Sequence, residues 1–224
     1  MSQIVLLSDD RVTSVPVIDC QEILCDLRDV DAVRMDERLA DAYGAYAHIR
    51  AGIADRLVAA QTLLPRGLRL LVVEGYRPIA LQRRYFNDFC ARVRDDHPEW
   101  TAERVHEYAS GHIAPPDYAP HVAGAAVDLT VCEEDGVELP MGTPVNASPD
   151  ESGSARYTAS TAISPEARVN RNILSGVLTA VGLVNYPTEW WHWSYGDRYW
   201  AFVNGRPAAR YGPATLPGHP PSPR

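Results

Sequence analysis

Apolar and polar positions follow two rhythms along this chain. From about residue 37 to 63, Leu39, Tyr43, Tyr46, Ile49, Ile53, Leu57, Ala60 and Leu63 recur at spacings of three and four. That period puts them on one face of a long helix, which Pro65 and Gly67 end. Leu68–Glu74 is instead a short unbroken apolar run rich in branched residues, and predicts a buried strand. Gly75 breaks it. Pro78 suits the first turn of a second helix, running to about Arg94 with Leu81, Tyr85, Phe86 and Phe89 as its core stripe. Ala125, Val127, Leu129 and Val131 alternate, so 125–131 reads as a strand. A third long helix is expected from about Pro165 to Val181, stopped by Gly182. Two last strands are expected at 183–186 and 191–195.

Between these elements the chain is less regular. Residues 1–30 read as an irregular arm with short strands, where Val15, Val17 and Ile18 surround Pro16. Residues 95–120 are polar, with a short helix near 102–110. Asp135-Gly136 marks a turn, and 140–162 is a loop rich in Gly, Ser, Thr and Pro. A loop of that length is often functional. From Gly212 the chain is dense in Pro and Gly, the composition of a disordered tail. Helices and strands come in blocks rather than strict alternation. This predicts an α+β fold, with a central antiparallel or mixed sheet flanked by helices. One domain over residues 1–211, N-terminal arm included, and a tail over 212–224 account for the length.

Composition narrows the functions. Of 224 residues, 46% are hydrophobic, enough for a sizeable core. A net charge of −8 argues against a nucleic-acid partner and gives no reason to expect an anionic membrane surface. The apolar run Ile4–Leu7 is followed by Asp9 and Asp10 and lacks the basic head and length of a secretory signal. No stretch approaches the roughly 18–20 apolar residues of a spanning helix. A cytoplasmic location is the expectation. The four cysteines, Cys20, Cys25, Cys90 and Cys132, form no C-x-x-C pair and read as small buried thiols.

Three segments carry chemistry: Pro120 to Thr130, Tyr186 to Trp193, and Glu74 to Pro78. A catalytic zinc takes three protein ligands of imidazole or carboxylate type and keeps a position for water. His121, Asp128 and His192 supply such a set, one zinc per chain. Gly124 between the first two lets the backbone turn sharply or pass closely. His121 then precedes the strand and Asp128 sits on it, which places the zinc site at the sheet. Glu189 and His192 are three apart, and Pro187 puts Glu189 on a loop leading into the strand of His192. Glu189 is expected as the general base, taking a proton from the attacking water and passing it to the leaving amine. Arg77 follows a buried strand, keeps its proton and presents a fork of donors. It suits negative charge developing on a tetrahedral intermediate. Each segment alone has an ordinary explanation. Surface His and Asp are common, an arginine after a strand is usually an ion-pair partner, and Trp190, Trp191 and Trp193 are expected mostly as core. His48, His97, His106, His112 and His219 are read as structural or exposed.

Together the segments resemble the D-alanyl-D-alanine dipeptidases of the vancomycin-resistance type, a zinc peptidase family that includes D,D-carboxypeptidases. The family pattern S-x-H-x-x-G-x-A-x-D-L-T is similar to Ala119–Thr130, E-W-W-H to Glu189–His192, and G-Y-R-P to Gly75–Pro78. Met141-Gly142-Thr143 resembles the family's M-G-[ST] loop. The resemblance spans roughly residues 30–200. It implies an α+β fold, zinc on His121, Asp128 and His192, Glu189 as acid and base, and Arg77 steadying the intermediate. Three departures concern the substrate. Ala119 stands where the family has Ser. Asn146 stands where it has the Asp that resembles an anchor for the substrate's free amine. Met35 stands where it has a Tyr. Ala119 and Asn146 are therefore the expected substrate-binding positions, and a small peptide-like substrate other than free D-Ala-D-Ala is expected. The alternatives are a carboxypeptidase or amidase acting on a longer or N-blocked substrate, and a non-catalytic zinc-bearing binding module. Retention of Glu189 and Arg77 argues against the last.

Overall fold

The computed structural model describes residues 4–217. Its elements in chain order are α1 (Asp10–Thr13), β1 (Leu24–Asp26), β2 (Arg34–Met35), β3 (His48–Arg50), α2 (Ala51–Leu63), β4 (Leu68–Glu74), α3 (Ile79–Asp96), α4 (Ala102–Ser110), β5 (Ala126–Glu133), α5 (Pro149–Ser152), α6 (Pro165–Ala180), β6 (Val184–Asn185), β7 (His192–Ser194) and α7 (Arg198–Val203). The main sheet has the order β2-β4-β5-β7-β6. Only β2–β4 is parallel, so the sheet is mixed, and helices flank it in an α+β fold. A second small sheet pairs β1 with β3.

The core explains the central strands. Leu70, Val72 and Val73 of β4 are sealed from solvent, as are Val127, Leu129 and Val131 of β5. Ile53, Leu57 and Ala60 of α2, Leu174 and Leu178 of α6, and Trp190, Trp191 and Trp193 close over them. β5 runs between β4 and β7 and is buried on both faces up to its last residue. A central strand has this character whatever its sequence alternation.

The first long helix is shorter than its periodicity predicts. It begins at Ala51, and residues 37–50 are turns, a single 3-10 turn and β3. Gly44 sits in the left-handed region at φ 68, which starts that turn and is incompatible with a continuing helix. Leu39 and Tyr43 lie at the surface, so their apolar spacing was not a core stripe. In α3, only Phe86 of the four predicted stripe residues is buried; Gln82 and Val93 share its inner face. The loop 140–162 contains α5 and a 3-10 turn over Gly153–Arg156. The helix α7, capped by the Asp197 carboxylate on the backbone N–H groups of Tyr199 and Trp200, was not anticipated.

Of the expected tail, 218–224 lies outside the described residues, as does His219. Residues 212–217 pack on the body. The Gly212 carbonyl accepts from Arg50, the Ala214 carbonyl accepts from Tyr76 Oη, and Leu216 is buried. All four cysteines are free thiols, but only Cys132 is buried and Cys20 is exposed.

Candidate active site and metal centre

Two of the three motifs depend on a glycine that permits an approach a side chain would block. A Cβ on Gly75 would lie 2.3 Å from the His48 carbonyl oxygen. Without one, the chain leaving β4 lies against β3, with Gly75 N–H donating to the Tyr46 carbonyl and Tyr76 N–H to that of His48. Gly124, at φ 61, reverses the chain from a 3-10 turn over Pro120–Ala123 into β5. His121 stands on that turn, before the strand, and Asp128 stands on β5. Asp128 pairs in register with both Glu74 on β4 and His192 on β7. The sheet therefore sets the spacing of the metal-ligand candidates.

Nδ1 of His121 donates to the Gly75 carbonyl at 2.7 Å, which leaves Nε2 as the ring's lone-pair atom. That Nε2 lies 3.1 Å from Nδ1 of His192 and 3.3 Å from Oδ1 of Asp128. Nδ1 of His192 is 3.0 Å from the same Oδ1. A tetrahedral zinc with bonds of about 2.0–2.1 Å spaces its ligand atoms about 3.3 Å apart, so the three atoms already stand close to the edges of such a shell. All three residues are buried. Among the described residues they are the one group of this kind able to hold a metal. The set is a plausible zinc site, and two imidazoles with one carboxylate are a donor set that zinc accepts. Burial alone would raise the Asp128 carboxyl; the His121 and His192 imidazoles outweigh it and hold the group well below the usual range. Nε2 of His192 is buried without a protein partner.

Glu189 lies in the turn before β7, as expected. That turn is fixed by Nδ2 of Asn185, which donates to the carbonyls of Glu189 and His192, both at 3.0 Å. Burial pushes the Glu189 carboxyl up and Asp128 adds to it, while His192, Arg156 and His121 oppose. A raised carboxyl suits a group that must both take and give a proton. Arg77 is held by Glu74, with Nε on Oε1 at 2.7 Å and Nη2 on Oε2, and by Oε1 of Gln82 at 2.7 Å. Its backbone N–H donates to the His121 carbonyl at 3.1 Å, which locks the third motif to the first. Three of its five N–H groups are engaged, and two remain for another acceptor.

His121, Asp128, His192, Glu189 and Arg77 line one cavity of about 270 Å³. Ala119 and Asn146, the predicted substrate positions, line it too; Met35, on the edge strand β2, is not among its lining residues. Asn146 and Ser148 bring the long loop to one wall, while Tyr85 and Phe89 of α3, with His112, form another. His112, read from the sequence as structural or exposed, is half-buried and lines the same cavity. Gln82, Asn185 and Arg156 were not singled out, and Glu74 was marked only as the first residue of its segment, with no role. Glu74 closes an apolar strand run and could have been found as a charge with a structural duty. Arg156 sits in a loop without periodicity and gave no signal.

Comparison with known proteins bears on these groups. The family described as D-ala-D-ala dipeptidase matches residues 42–206. The D-alanyl-D-alanine dipeptidase of Synechocystis sp. is 27% identical over 217 residues, covering 84% of this chain and 88% of that one. Among solved structures, an LD-carboxypeptidase described for its peptidoglycan recognition is 17% identical with a TM-score of 0.46, covering 84% of this chain and 76% of its own. A vancomycin resistance D,D-pentapeptidase, VanY, is 15% identical with a TM-score of 0.41, covering 74% and 83%. The cytoplasmic expectation does not stand beside these. The LD-carboxypeptidase is described by its recognition of peptidoglycan, a polymer outside the cytoplasmic membrane, and that is a statement about that protein. Among the described residues no helix is long and apolar enough to cross a membrane, and that fact carries no compartment with it. The motifs, the buried His-His-Asp cluster and a match over most of the chain agree: the chain belongs to the M15 peptidase family described as D-ala-D-ala dipeptidase, and it is a zinc metallopeptidase.

Proposed function

We propose that this protein hydrolyses the amide bond of a small, dipeptide-sized substrate other than free D-Ala-D-Ala. The observation that carries the reading is the sharing of one small cavity by the His121, Asp128 and His192 ligand atoms, the Glu189 carboxylate and the Arg77 guanidinium. His121 Nε2, Asp128 Oδ1 and His192 Nδ1 would hold one zinc. Bound there, zinc supplies a Lewis acid that polarises the scissile carbonyl and eases deprotonation of the attacking water. Glu189 takes the water's proton and returns it to the leaving amine. Arg77, held in place by Glu74 and Gln82, directs its two remaining N–H groups at the negative charge that develops on the carbonyl oxygen. Ala119 and Asn146, which both line the cavity, would contact the substrate. The cavity volume and the wall formed by Asn146, Ala147 and Ser148 favour a short substrate over a continuous chain.

The test is hydrolysis of a panel of L,L, L,D and D,D dipeptides, including D-Ala-D-Ala and N-acetylated members. Glu189→Ala and a chelated sample run alongside. Cleavage that both controls abolish, with another amide cut faster than D-Ala-D-Ala, is the expected result. Selective, rapid cleavage of D-Ala-D-Ala would remove the altered preference. Stoichiometric zinc with no amide cleaved would remove the hydrolytic reading.

A further inference from the structure

Three arginines among the described residues are buried, and two of them donate through all three of their side-chain nitrogens. Arg50 donates to the carbonyls of Ala123, Glu22 and Gly212. Arg171 donates to those of Met141, Tyr157 and Ala155. Arg156 is only 5% exposed, yet it makes a single hydrogen-bonding contact through its side chain, Nη1 to Oε1 of Glu189 at a long 3.4 Å. Its Nε is buried without a partner. Its guanidinium also lies 5.5 Å from the Tyr157 ring centre. A buried guanidinium keeps its charge, and leaving its donors unfilled is costly. Of the three, Arg156 alone lines the cavity of the candidate active site.

The charges around that cavity point the same way. Its described lining carries Arg77, Arg92 and Arg156 as permanent cations, and Asp128 and Glu189 as its carboxylates. Asp128 is taken by two imidazoles, and Glu189 is ion-paired at 3.4 Å with one nitrogen of Arg156, whose other donors stay open. Arg77 is neutralised by Glu74. An ammonium entering the cavity meets no free acid among the described lining side chains. A carboxylate meets a guanidinium with donors to spare, whose planar fork matches its two oxygens.

We propose that Arg156 is the specificity-determining residue of this site. It binds a carboxylate of the substrate, so the protein acts on small amides that carry such a carboxylate, whether or not their amine is free. The inference rests on the hydrolytic reading above only for the word substrate; the carboxylate site itself is read from binding.

The experiment uses the zinc-loaded protein and two probes of one shape, N-acetyl-D-alanine and N-acetyl-D-alaninamide, with affinity measured by calorimetry. The carboxylate is expected to bind about 10- to 100-fold more tightly than the amide, the range of a charge-assisted hydrogen-bonded pair. Zinc also attracts carboxylates, so the deciding arm is Arg156→Leu at unchanged zinc content. The preference should vanish there and return in part in Arg156→Lys, which restores the charge without the fork. Arg156→Gln replaces the leucine variant if that does not fold. A preference that survives loss of the guanidinium, or that is absent from the unaltered protein, overturns the proposal. If no dipeptide of the panel is cut while the Arg156-dependent preference is found, the carboxylate site stands and the hydrolytic reading falls.

Discussion

The cavity has one face built on strands and another built on loop, and the two are secured differently. On the strand face, Asp128 and His192 are paired across β5 and β7, and His121 is tied to the Gly75 carbonyl beside β4. Backbone ladders set these positions, and little freedom remains for the side chains. On the loop face, Asn146 and Arg156 belong to a segment with only a short helix and a 3-10 turn of its own. Two backbone hydrogen bonds tie that segment to the turn before β7, from Trp190 N–H to the Arg156 carbonyl and from Thr158 N–H to the Pro187 carbonyl, and side chains do the rest of the fastening. Arg171 on α6 reaches the carbonyls of Met141, Ala155 and Tyr157, near both ends of the segment. Burial lowers the Arg171 pKa to about 10, yet that leaves it fully charged at neutral pH. The division suits an enzyme whose reaction is fixed while its substrate changes. Ladders hold the ligands to tenths of an ångström, and a loop can be rewritten without disturbing them.

The sharpest way to break this comparison is to remove a strand-borne ligand. Asp128→Ala should lose stoichiometric zinc and nearly all hydrolysis, a larger fall than the roughly 10- to 100-fold typical of outer-shell partners. Metal content by atomic absorption beside turnover checks it. Retained zinc would mean that the ladder does not define the centre. The next effect belongs to the loop. Arg171→Met should leave zinc bound while freeing three buried carbonyls, at a stability cost of about 2–3 kcal/mol. KM should rise more than kcat falls, because the wall loosens while the reacting groups stay. Thermal melts, metal content and steady-state kinetics read the three quantities separately. Loss of zinc in Arg171→Met would show that the faces are not independent.

The same division decides what the sequence could reveal. His121, Gly124, Asp128, Glu189 and His192 fall in two short segments, and their residue types alone narrow the chemistry. β4, β5 and α6 were legible because each is long and its apolar pattern coincides with the core it meets. The helix proposed from residue 37 failed for a physical reason. Leu39 and Tyr43 continue the period of Ile53 and Leu57, but Gly44 turns the chain and leaves both side chains at the surface. Arg156 was invisible because its partner Glu189 is 33 residues away and nothing local requires the contact. Glu74 was visible as a residue but not as a partner. Its pairing with Arg77 depends on the bend at Gly75, which the sequence marks only as a break.

The smallest effect tests whether the loop face sets the substrate's charge. Asn146 lines the cavity, is exposed, and holds φ 61, a backbone state that Asn and Asp both tolerate. Asn146→Asp should therefore fold without strain and add an acid where the family pattern carries one. An exposed carboxylate is screened by solvent, and pairs of that kind are worth about 1 kcal/mol or less. KM for dipeptides with a free amine should fall roughly two- to fivefold, and the gain should shrink as salt is raised. N-acetylated substrates should gain nothing, since they offer no ammonium. Their binding should weaken slightly if the new carboxylate competes for Arg156. An equal gain for free and blocked amines would place the amine end away from Asn146. No change with salt would mean that the substitution acts through the loop's shape rather than its charge.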